Sequence, residues 1–169
     1  MFESLPLHPM FVHFPIALTF LIFLYFLFGL FFTSHFKWSH QLALCALLFI
    51  SSIVAVQLGE NDEELVEDTG YYQSLDEHED LGEVIPWISL GLVIAAAIGY
   101  WVPTVGLVQV LFGVILLVQT GFIVYVSHLG GKLVYEEGAA SVYKIQSQQP
   151  MKAKNYNDND EYEDEDDHD

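Results

Sequence analysis

The sequence predicts an all-α integral membrane protein: a four-helix up-down bundle followed by a disordered acidic C-terminal tail. Three observations lead there. The 169-residue chain is 53% hydrophobic and 15% aromatic, yet its net charge is −18. Its apolar and acidic residues are segregated, with charge-free runs at 9–35, 41–59 and 84–127 and acids gathered at 60–83 and 155–169. The runs are also long enough, because a hydrocarbon core of about 30 Å needs about 20 apolar helical residues. We place the transmembrane domain at residues 1–145 and the acidic tail at 146–169.

The first span is expected at residues 10–32, the second at 40–59, the third at 84–102 and the fourth at 104–127. The first has no Lys or Arg before it and no small-x-small site after it, so it reads as a retained helix and not a cleaved leader. Thr33–Ser39 joins the first two spans, and its Lys37 and Trp38 suit a membrane interface. The 84–127 run is too long for one span. Gly99–Pro103 divides it, with Pro103 suited to the first turn of the next helix.

Between the second and third spans lie eleven acids and no Lys or Arg. We expect a turn near Gly70, then a helix N-capped by Ser74, whose acidic first turn suits the positive helix end. On that helix Leu75, His78, Gly82 and Ile85 share one face. The last fifteen residues hold nine acids and cannot bury a core. The chain has no arginine and five lysines, which excludes a nucleic-acid surface. Cys45 stands alone within the second span.

Topology then groups the histidines. In an up-down bundle, the face where the chain starts (side A) receives the start of spans one and three and the end of spans two and four. His8, His13, His78 and His128 all fall there, and His35 and His40 fall on side B. His13 is expected ~7 Å deeper than His8. Ionisable groups at membrane depth are candidate functional sites by default. Gly121, seven residues before His128, and Gly82, one turn after His78, leave room for a flat cofactor. So do Gly113 and Ala17, although small residues equally permit close helix packing. Pro15 is expected to loosen the helix around His13.

The stretches "HPMFVHFPIAL" (His8–Leu18) and "HLGGKLVYEEGAASV" (His128–Val142), on four spans, resemble the bacterial membrane proteins grouped as domain of unknown function 2231. The matching positions are His8, Pro9, His13, Phe14, Pro15, His128, Gly130, Gly131, Leu133, Val134, Tyr135 and Gly138. A histidine at the start of the third span matches His78. The resemblance covers roughly residues 5 to 143. It implies a bacterial inner-membrane, multi-pass protein. Some relatives are fused to or occur beside c-type cytochromes, and the helix-histidine layout is similar to that of membrane cytochromes b. The chain lacks a Cys-x-x-Cys-His site, so any haem would be non-covalent.

Three functional readings follow. The leading one is a haem b electron-transfer module with His13 and His128 as axial ligands to iron. His8 and His78 would form a second pair or hold the propionates, and Lys132 would stand in for the missing arginines. The second is a membrane anchor or assembly module. The third is divalent-metal binding or transport, using the histidines with Glu60, Asp62, Glu77 and Asp80. The expected partners are the bilayer, a c-type cytochrome or other redox protein, and a further copy of the chain. No hydrolytic constellation or phosphate loop stands out, so a self-contained enzyme is not expected. Lysines near the last span favour a cytoplasmic side A, whereas exported cytochrome domains in relatives favour the opposite. We place side A outside.

Overall fold

In the computed structural model the described residues are 7–32, 36–67, 74–102 and 106–138, with side chains of 62–67 excepted. They form six helical segments: α1 (Leu7–Phe11), α2 (His13–Phe31), α3 (Trp38–Glu67), α4 (Leu75–Gly82), α5 (Val84–Trp101) and α6 (Gly106–Tyr135). Since α1 runs into α2 and α4 into α5, there are four rods, each long and apolar enough to cross a membrane. They pack in the cyclic order α2, α3, α5, α6, with α1 against α3 and α4 against α6.

The two interruptions share one cause. Pro15 has no N–H for the Phe11 carbonyl, and Pro86 none for that of Gly82. The helix falters three residues before each proline, at Val12 and Glu83, although both keep helical angles. The expected loosening around His13 is thus limited to one residue.

The core lies midway along the bundle. Ile22, Phe26, Cys45, Leu48, Leu92, Ala96, Phe112 and Leu116 are buried together. The Phe26 ring reaches α6 beside Gly113, where an added Cβ would stand 3.1 Å from it. Gly113 therefore serves tight packing and not a cofactor. The outward faces carry large apolar side chains such as Leu24, Phe31, Trp87, Trp101, Leu107 and Leu117, all exposed as a lipid-facing surface requires.

Several expectations change in detail. The fourth span does not stop at residue 127. α6 continues to Tyr135, because Leu129 and Leu133 extend its buried stripe. The helix of the second span, by contrast, continues past the span to Glu67, as expected. Ser74 does precede a helix, but its side chain makes no capping bond. Its hydroxyl donates instead to Glu137 Oε1, and its N–H to Glu137 Oε2 at 3.2 Å. Lys132 Nζ approaches the same carboxylate at 3.7 Å. The Gly70 turn, His35, Pro103 and the acidic tail lie outside the described residues.

A candidate histidine site at one end of the bundle

The side A end contains a cavity of about 490 Å³. Val12, Ile16, Val56, Ile85, Ile123 and Leu133 make most of its wall apolar. Its polar lining comes from His8, His13, His78, Ser52, Ser127, Glu60, Glu79 and Glu83. The shared face expected on the third rod is present, since Leu75, His78, Gly82 and Ile85 all line it.

The histidines are not equivalent. His8 and His78, from α1 and α4, meet across the cavity with ring centroids 6.1 Å apart and planes at 82°. His8 Nδ1 lies 2.8 Å from the Ala55 carbonyl oxygen on α3. His78 Nδ1 lies 3.1 Å from the Val126 carbonyl oxygen on α6. A carbonyl only accepts, so each Nδ1 must carry the proton. In the neutral ring that makes Nε2 the nitrogen with the lone pair, the form in which imidazole ligates metals. Such outer hydrogen bonds also orient the ring and raise its basicity.

The residues favoured by sequence divide around this pair. His13 is on the cavity wall but exposed. His128 is exposed on α6 and outside the lining. The pair that the fold brings together is thus His8 with His78, not His13 with His128. Gly82 lines the cavity, whereas Gly121 faces outward with open space around it. Ala17 is also exposed. Lys132 points to Glu137 and not into the cavity. Of the acids considered for metal binding, Glu60 reaches the lining and Glu77 accepts a bond from Tyr125. Asp80 is exposed, and the Asp62 side chain is outside the described set. Among the described residues no three His, Cys, Asp or Glu side chains form a metal-ligating group.

Sequence reasoning missed an internal repeat. A shift of about 70 residues superimposes the first two rods on the last two. His8 falls on His78, Pro15 on Ile85 (with Pro86 one residue further on), Thr19 on Ser89 and Gly29 on Gly99 at a shift of 70, and Gly59 on Gly130 at 71. Buried positions follow the same shift: Ile22 with Leu92, Phe26 with Ala96, Cys45 with Leu116, Leu48 with Gln119 and Ser52 with Ile123. Local bonds repeat as well, since Thr19 Oγ1 donates to the Pro15 carbonyl and Ser89 Oγ to that of Ile85. Few residues are identical at these shifts, so the repeat is carried by the pattern of buried positions and not by the sequence read alone. Both copies start on side A, so a pseudo-twofold axis runs along the bundle and passes between His8 and His78.

These features define a four-span membrane protein with a histidine-bearing cavity at one end. A family model described as "Predicted membrane protein (DUF2231)" matches residues 4–142. The chain belongs to that family. No curated protein and no solved structure matches it.

Proposed function

We propose that the protein is a haem b electron-transfer module of the bacterial inner membrane, in which His8 and His78 would hold the iron. The observation that carries this is the imidazole pair at the wall of an apolar cavity. Two imidazoles bound through Nε2 from opposite sides of one metal ion would have centroids ~6.4 Å apart, given a metal–nitrogen distance of about 2.0–2.1 Å. The observed 6.1 Å is a few tenths of an ångström shorter. Two protein ligands suit iron whose other positions are filled by a macrocycle, whereas a structural zinc ion takes four. The cavity volume falls within the range of cofactor pockets, about 300–1,000 Å³.

The carboxylate end of haem finds less support. The lining has acids and no lysine, so propionates would project from the mouth into water. When bound, haem supplies one-electron chemistry. The chain's own part is to orient the two imidazoles and to exclude water with the apolar wall. A c-type cytochrome or another redox protein at the side A surface fits as the partner.

The test is a reduced-minus-oxidised visible spectrum of detergent-purified protein made with ample haem. Sharp b-type bands are expected, lost in His8→Ala and His78→Ala and kept in His13→Ala and His128→Ala. Loss confined to the latter pair would return ligation to His13 and His128. A folded wild type without bands would sink the haem reading in favour of an assembly module, with metal analysis of the same sample deciding whether an ion is bound instead.

A further inference from the structure

We infer that Gly59 and Gly130 are positioning residues for His8 and His78, a device the internal repeat carries twice. In a helix, the carbonyl of residue i points toward the N–H of residue i+4. Gly59 stands four residues after Ala55, and Gly130 four after Val126, the two carbonyls that receive the histidines. A ring reaching either oxygen must pass beside the glycine. A Cβ at Gly59 would lie 3.1 Å from both Cε1 and Nδ1 of His8. One at Gly130 would lie 2.9 Å from Cε1 of His78.

Among the glycines that line the cavity, the closeness is specific to these two. Gly82 and Gly131 line the same cavity, yet a Cβ on either would meet nothing within 4 Å. Glycine is also the poorest helix former apart from proline, so helix stability alone would select another residue at both places. The absent Cβ lets each imidazole reach its carbonyl, which fixes the Nδ1–H tautomer. Nε2 then becomes the ligating nitrogen on both sides of the axis. What the pair ligates rests on the haem reading; the tautomer and its dependence on the glycines do not.

The experiment is imidazole nitrogen NMR of the full chain in detergent micelles, with resonances assigned through His8→Gln and His78→Gln. Wild type is expected to show both rings as the Nδ1–H tautomer. Gly130→Ala should shift His78 alone away from that tautomer, and Gly59→Ala should shift His8 alone by a smaller fraction, because its clash is milder. Gly91→Ala, whose Cβ meets only an ordinary contact at 3.8 Å, should change neither. Should Gly130→Ala fail to fold, the milder Gly59→Ala carries the test through His8. Unchanged tautomers in both glycine variants would overturn the inference. A colourless wild type with shifted tautomers would overturn only the haem reading.

Discussion

The first half of the bundle, residues 7–67, and the second, residues 74–135, place equivalent positions around one axis but fill them with different chemistry. His8 sits in the apolar run "LHPMF", and His78 in the acidic "LDEHEDLG". Both nevertheless reach a carbonyl beside a glycine. The core differs more. Phe26 in the first half faces Phe112 in the second, with ring centroids 5.3 Å apart, while their counterparts are Ala96 and Gln41. Each half thus supplies one large ring, and its counterpart is a residue that does not duplicate it. The repeat conserves geometry where a ligand would sit and divides volume where the core is packed.

The comparison can be broken most decisively at the histidines. If the halves are functionally equivalent, His8→Ala and His78→Ala should each abolish a haem spectrum to the same extent. A variant that retained full bands while the other lost them would show that only one half ligates.

Next in size are the polar core positions. Gln41 is buried, and among the described residues neither amide atom has a partner. An unsatisfied buried polar group costs about 1–3 kcal/mol, so Gln41→Leu should raise thermal stability by that order. A lowered melting temperature would show that the amide serves something the packing does not reveal. Its opposite is Ser89→Ala. Gln119 Nε2 donates to Ser89 Oγ at 3.1 Å, and Gln119 Oε1 already lacks a partner. Losing Ser89 would strand the whole amide, again at about 1–3 kcal/mol. The equivalent Thr19→Ala removes only a bond to its own helix and should cost ~0.5 kcal/mol. Equal losses in a paired thermal-melt series would erase this difference between the halves.

The smallest effect concerns Glu137, which ties the start of α4 to the end of α6. The Ser74 hydroxyl, the Ser74 N–H and Lys132 hold its carboxyl below the usual glutamate range, against a smaller opposing effect of burial. A depressed carboxyl adds stability above its unfolded pKa of about 4.3, and that stability fades as pH falls through the lower folded value. Glu137→Gln should therefore lower stability slightly at pH 7, with the gap from wild type closing in acid. A gap unchanged across that window would detach the effect from ionisation.

Much of the fold was legible because hydrophobic length is a one-dimensional signal. Three charge-free runs, the last long enough for two spans, had to become four spanning helices, and the up-down order alone brought His8, His13, His78 and His128 to one end. The choice among those histidines was not legible. His13 and His128 looked better placed by depth and by their glycine stripe, yet helix rotation turned His128 outward and left His13 at the exposed edge of the cavity wall. Gly121 followed His128 to the surface for the same reason. A rotation of a fraction of a turn leaves composition and hydropathy unchanged, and nearly every face of such a helix is apolar.

The sequence by itself therefore determined the spans, the sidedness of the histidines and, through Pro15 and Pro86, where two helices falter. The repeat shows in which positions are buried, and hardly at all in residue identity. Tertiary structure alone decided which rings meet. That outcome depends on carbonyls at Ala55 and Val126 being reachable past Gly59 and Gly130. Access of this kind exists only once neighbouring helices are packed at their final distance and rotation.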